Sequence, residues 1–90
     1  MNLTNEQIGQ RIKAVRLEKN LTQTQLAQLL GKSLRTVQSY ESGESRILLD
    51  TVTTIAHALG VTPTYLLLTI KDINNYEYYY HNSNNHGDVS

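Results

Sequence analysis

The sequence predicts an all-α fold: five short helices in one compact domain, followed by a flexible C-terminal tail. Three observations support this. Apolar residues recur at helical spacing in successive segments, sharp start and stop signals bound those segments, and no stretch alternates as a strand does. The predicted helices cover about 4–19, 22–30, 33–42, 50–59 and 63–70. The domain is assigned to residues 1–72 and the tail to 73–90.

The first helix opens at Leu3-Thr4-Asn5-Glu6-Gln7-Ile8. Thr4 and Gln7 are spaced as a capping box, and Leu3 and Ile8 as a hydrophobic staple. Ile8, Ile12 and Val15 form its apolar stripe, and Asn20 can end it. The second helix repeats the device, with Thr22/Gln25 as box and Leu21/Leu26 as staple. Leu26, Leu29 and Leu30 are its expected core side, and Gly31 its stop. The third begins at Ser33 and ends before Gly43. The fourth buries Val52, Ile55, Ala56 and Leu59 and stops at Gly60. In the fifth, Thr62 caps, Pro63 takes the first helical position, and Val61 faces Leu66. Leu66, Leu67 and Ile70 lie along that helix.

Ninety residues without cysteine allow one modest core and exclude disulfides and thiolate metal sites. No apolar run approaches the roughly 20 residues that cross a bilayer, and the first residues lack the basic and apolar parts of a signal peptide. A cytoplasmic location is the expectation. Net charge is zero, but residues 1–70 carry seven basic against five acidic side chains, and the tail lowers the total. That excess is too small to identify a partner.

The third helix is unlike the others. At 100° per residue, Thr36, Val37 and Tyr40 share an inner side, while Leu34, Arg35, Gln38, Ser39 and Ser42 share the outer one. The outer side offers short hydrogen-bonding groups, one cation and one aliphatic group. Arg can bond guanine bidentately, Gln can bond adenine, and an aliphatic group can touch a thymine methyl. Only Gly31-Lys32 separates the preceding helix from Ser33, which forces a sharp turn. The backbone N–H groups of Gln23 and Thr24, with the Gln23 side chain, can hold a phosphate oxygen. A plain helical hairpin with a polar outer face has the same pattern.

The run from Leu21-Thr22-Gln23-Thr24-Gln25-Leu26-Ala27 through Gly31-Lys32-Ser33-Leu34-Arg35-Thr36-Val37-Gln38-Ser39-Tyr40-Glu41-Ser42-Gly43 resembles the phage repressor and Cro type of helix-turn-helix, also called the XRE family. Ile8-Gly9-Gln10-Arg11-Ile12 and Val15-Arg16 are similar to its first helix. Thr51, Ile55 to Val61, and Tyr65-Leu66 are similar to its fourth and fifth. The resemblance covers about residues 6–68 without a gap. It implies a sequence-specific, double-stranded-DNA-binding transcriptional regulator, a homodimer that represses from a palindromic operator, with no enzymatic activity and no cofactor. Ser33, Leu34, Arg35, Gln38 and Ser39 are then the expected base contacts. Thr22, Gln23, Lys32, Ser42 and Arg46 are the expected phosphate contacts. Arg16 and Glu41 match a pair that often forms a salt bridge between the first and third helices.

The chain departs from the family pattern at Glu44-Ser45-Arg46-Ile47-Leu48-Leu49-Asp50. Basic residues often follow the glycine in the family; here Glu44 and Ser45 remove phosphate contacts. Ile47-Leu48 replaces the usual Pro-Ser, which weakens the cap of the fourth helix. The two apolar residues there belong to the core or to a subunit interface, with core favoured. Leu67, Leu68 and Ile70 are the expected dimer interface.

His81, His86 and Asp88 lie in a polar tract that lacks the fixed geometry a metal requires, so no metal is expected. His57 is expected to be solvated. Tyr76, Tyr78, Tyr79 and Tyr80 stand out in the tail; a disordered tail is favoured, with a protein partner for the tyrosines as the alternative. Two rival functions remain: the antitoxin of a toxin pair, and an interaction module that has lost DNA binding.

Overall fold

The computed structural model describes residues 3–67. These form five helices: α1 (Asn5–Glu18), α2 (Gln23–Leu30), α3 (Leu34–Ser42), α4 (Leu49–Leu59) and α5 (Pro63–Leu67). Each boundary falls within one or two residues of the sequence expectation; residues 68–70, predicted to end the fifth helix, and the tail lie outside the described residues. Among the described residues, no helix is long and apolar enough to cross a membrane.

The local signals account for the starts. Thr4 Oγ1 accepts from Gln7 N at 3.1 Å while Thr4 N donates to Gln7 Oε1 at 2.9 Å. Thr22 and Gln25 repeat this at 3.0 and 2.8 Å. Ser33 Oγ accepts from Thr36 N, and Thr62 Oγ1 from Tyr65 N. Each such cap is worth about 1 kcal/mol. α4 is the exception: Leu48 occupies its cap position and makes no side-chain cap bond.

The stops share one geometry. At the end of α3, Gly43 N donates to Tyr40 O and Glu44 N to Ser39 O, with Gly43 at φ +83°. This is the Schellman arrangement, which needs a residue in the left-handed region. Asn20, at φ +59°, does the same for α1 through Leu21 N and Arg16 O.

The core is one cluster drawn from every helix: Ile12 and Val15, Leu26 and Ala27, Val37, then Val52, Ile55, Ala56 and Leu59, and finally Leu66. Ile47 joins it from the loop before α4. Full burial of each large aliphatic contributes about 1.5–3 kcal/mol. Two expectations are corrected. Leu29 is exposed, because α2 turns Leu26, Ala27 and Leu30 inward and Leu29 away from them. Ile47 is core as favoured, but Leu48 is exposed, and so is Leu49. One residue suffices to close the cluster, and the next leads α4 out into solvent.

α1 packs most extensively on α3. The crossing is tight at two glycines. A Cβ on Gly9 would meet the backbone oxygens of Tyr40 and Glu41, the latter at 2.6 Å. A Cβ on Gly43 would meet Glu6 Cα, also at 2.6 Å. The C-terminal end of the α3 backbone therefore lies against α1 at both points without a side chain between them.

Candidate nucleic-acid interface

α3 is held from beneath and open above. Beneath it, Arg16 of α1 meets Glu41 in a two-point ion pair. Nε lies 2.6 Å from Oε2 and Nη2 lies 2.9 Å from Oε1. Both side chains are buried, at 7% and 4% exposure. Arg16 Nη1 donates to Leu21 O at 2.8 Å, so the same guanidinium also fixes the link between α1 and α2. A buried charge pair offsets its desolvation only when the geometry is good and the remaining donors are satisfied. Here both conditions hold, and the bidentate fork favours Arg over Lys.

Gln23, the first residue of α2, completes this network. Its Nε2 donates to Glu41 Oε1 at 3.0 Å. The sequence assigned that side chain to a phosphate. The structure turns one of its donors inward onto Glu41 and leaves the side chain half-buried at the helix start. The buried pair thus couples three elements: α1 through Arg16, α2 through Gln23, and α3 through Glu41.

Above, Leu34, Arg35 and Gln38 are exposed, Ser39 is half-buried beside them, and Ser33 is exposed at the helix start. These five run from the cap of α3 along its outer side to Ser39, as their spacing implies. Ser33 Oγ is occupied as a cap and also pairs with Thr36 Oγ1 at 2.9 Å. The assigned phosphate residues are distributed around this surface. Lys32 stands exposed in the turn, and Arg46 exposed in the following loop. Thr22 is engaged in its capping box, with its backbone N–H and hydroxyl oxygen both used. The Ser42 hydroxyl donates to Ser39 O and accepts from Glu44 N. Ser42 therefore closes its own helix end. Val37 is buried and Thr36 and Tyr40 are half-buried, which leaves the polar edge facing outward.

Two residues have partners that the sequence does not show: Glu44, read there as the loss of a phosphate contact, and Arg11, quoted there within the first helix. Glu44 reaches back onto the outer edge of α3, where its Oε2 accepts from Arg35 Nη2 at 3.3 Å and from Ser39 Oγ at 3.4 Å. Its position directly after the helix-stopping glycine was the available signal. Arg11 is buried over the Tyr65 ring, 5.8 Å from its centroid, and donates to Tyr65 O. Among the described residues its Nε meets no hydrogen-bond partner. Nearby, the Tyr65 hydroxyl donates to Glu18 at 2.6 Å, and that carboxylate pushes the phenol above its ordinary pKa, with burial adding to the shift. Both belong to the α1–α5 contact, away from the α3 edge.

The interface expected at Leu67, Leu68 and Ile70 is only partly described. Leu67 is half-buried against the core cluster; Leu68 and Ile70 lie outside the described residues. So do His81, His86, Asp88 and the tail tyrosines. His57 is exposed on α4.

Comparison with known proteins places this architecture. A helix-turn-helix family model (HTH_3) matches residues 12–66. An uncharacterised HTH-type transcriptional regulator, y4wC, of Sinorhizobium fredii is 36% identical over 64 residues, covering 71% of this chain and 45% of the relative. The chain thus spans under half the length of the curated relatives it matches. The restriction-modification controller protein C.AhdI from Aeromonas hydrophila superposes with a TM-score of 0.65 at 32% identity, over 69% of this chain and 94% of that one. A hypothetical transcription factor, NHTF, from Neisseria superposes with a TM-score of 0.75 at 25% identity, over 81% and 84% of the two chains.

Proposed function

This chain belongs to the helix-turn-helix family, and from that membership we propose that it binds double-stranded DNA sequence-specifically and regulates transcription, with α3 lying in the major groove. The observation that carries the reading is the contrast across α3. Its inner side is locked by the buried Arg16–Glu41 pair, while its outer side presents Leu34, Arg35 and Gln38 to solvent. A reading helix needs that combination, because base discrimination depends on side chains held in register with the groove.

The proposed roles follow the geometry. Arg35 and Gln38 offer the bidentate groups for guanine and adenine, Leu34 an apolar contact, and Ser33 and Ser39 shorter polar ones. Lys32 and Arg46 are the exposed cations for phosphates. The start of α2 adds backbone N–H groups and the second amide proton of Gln23, whose first is spent on Glu41. Thr22 keeps its hydroxyl proton for a phosphate, while Ser42, whose hydroxyl donates to Ser39 O and accepts from Glu44 N, contributes through its position.

One helix with one cation on its reading face binds weakly alone. The proposed working form is therefore a homodimer, its interface beginning at Leu67 and running beyond it, on a palindromic operator with half-sites one DNA turn apart, about 34–36 Å. Repression by occlusion of polymerase is the simplest consequence. The domain assigned to residues 1–72 is the unit proposed to do this.

The test is titration of the chain with random-sequence and selected duplex DNA over a range of salt. Affinity is expected to fall steeply with salt, with a log–log slope of about −0.9 per phosphate contact. Selection from random duplexes is expected to return a two-fold symmetric site. No binding at any salt concentration overturns the proposal and favours a protein-interaction role; co-purification with a small basic protein points to an antitoxin.

A further inference from the structure

The outer edge of α3 carries an anion, Glu44, where a DNA-reading surface should least tolerate one. The placement is set by the backbone. Gly43 at φ +83° closes α3, and Glu44 N then donates to Ser39 O at 3.1 Å. The chain is turned back along the helix, so Glu44 starts beside Ser39 whatever its side chain does. Arg35 lies one turn earlier on the same face. The carboxylate consequently reaches both, at 3.3 Å from Arg35 Nη2 and 3.4 Å from Ser39 Oγ.

This contact does little for the fold. Its side chains are 78% and 60% exposed, and exposed pairs are worth about 0–1 kcal/mol. Its effect falls on whatever approaches the edge. A duplex carries one negative charge per roughly 1.7 Å, so an uncompensated carboxylate there opposes every sequence alike. It also occupies one donor of Arg35 and partly cancels the charge that would otherwise draw that side chain to phosphate. The penalty disappears for one kind of duplex. A cytosine N4 amino group donates into the major groove and suits a carboxylate, while Arg35 keeps four further N–H donors for a guanine.

We propose that Glu44 is a specificity-determining residue: its carboxylate restrains Arg35 from phosphate and selects sites that present a cytosine amino group beside the base pair Arg35 reads. The inference rests on the DNA-reading role proposed for α3. Glu44 lowers affinity for DNA in general and raises the ratio of specific to non-specific binding.

The test uses Glu44→Gln, which keeps the shape and removes the charge. Affinities of the whole chain and the variant are measured on random-sequence duplex and on the operator selected by the wild type, across salt. Site selection is repeated with the variant. The expected result is a gain on random duplex at least about fivefold larger than any gain on the operator. The salt slope on random duplex steepens by about one contact, and cytosine preference is lost at one position of the half-site. In an Arg35→Ala background, the gain from Glu44→Gln on random duplex shrinks, because part of it comes from releasing Arg35. An equal gain on both duplexes with unchanged base preference overturns the inference, as does no change at all; either leaves DNA binding itself intact. If the wild type and the variant both fail to bind any duplex at low salt, the DNA-binding role falls and this inference with it.

Discussion

α3 carries an ion pair on each side, and the two differ in nearly every physical respect. Arg16–Glu41 is short, two-pointed and buried, and it holds three helices together. Arg35–Glu44 is long, single-pointed and solvated. The same pairing of residue types therefore serves opposite ends. Out of water, the pair is committed to one geometry, because breaking it strands a charge. In water, the pair is held loosely, as the proposed exchange for a base or a phosphate requires. A reading helix needs the first to be rigid and the second to be negotiable.

The largest expected effect tests the buried side. Glu41→Ala leaves the Arg16 guanidinium buried with only Leu21 O beside it, and is expected to cost about 3–5 kcal/mol in denaturant unfolding. Replacing both partners with apolar residues, as in Arg16→Met with Glu41→Leu, is expected to recover most of that loss. If Glu41→Ala costs no more than a surface substitution, the scaffold role is wrong.

Gly9→Ala probes the same interface sterically. In an isolated helix alanine would be favoured by about 1 kcal/mol. Here the new methyl meets backbone oxygens of Tyr40 and Glu41, so a net loss of about 1–3 kcal/mol is expected, measured as a lowered Tm.

On the open side, Arg35→Ala is expected to leave the unfolding midpoint unchanged. It should weaken operator binding by about 1–3 kcal/mol and relax preference at one base pair, measured by competition with base-substituted operators. Unchanged affinity and base preference would remove Arg35 from the reading set. Glu44→Ala should change folding stability by no more than about 0.5 kcal/mol, a direct contrast with Glu41→Ala.

The smallest effect lies away from both pairs. The hydrogen bond to Glu18 raises the Tyr65 pKa above its unfolded value. Its contribution to stability is thus complete below the ordinary phenol pKa and is lost as pH rises through the folded one. In an ultraviolet titration, Tyr65→Phe should remove a late-titrating tyrosine; loss of an ordinary one would contradict the bond.

The structure also separates what was legible in the residues from what was not. Thr4, Thr22, Ser33 and Thr62 announced the helix starts, and Asn20, Gly31 and Gly43 the stops, because a cap is settled within three or four residues of chain. The outer face of α3 was legible for the same reason: its polar residues repeat at helical spacing. Leu29 was misread because an apolar stripe shows which residues share a side, not how wide the neighbouring helix is. The bond from Gln23 to Glu41 was not legible, because no local rule brings a carboxylate eighteen residues away in the chain to that amide.

The sequence by itself determined the five helices, the sharp turn before Ser33 and the polar outer edge of α3, since these depend on short-range torsions and periodicity. Only the tertiary structure decided that Gly9 sits under the end of α3, that Gln23 joins the buried pair, and that Glu44 faces Arg35. Those facts depend on which surfaces meet and on how far each charge is removed from water, and neither quantity is written in any one segment of the chain.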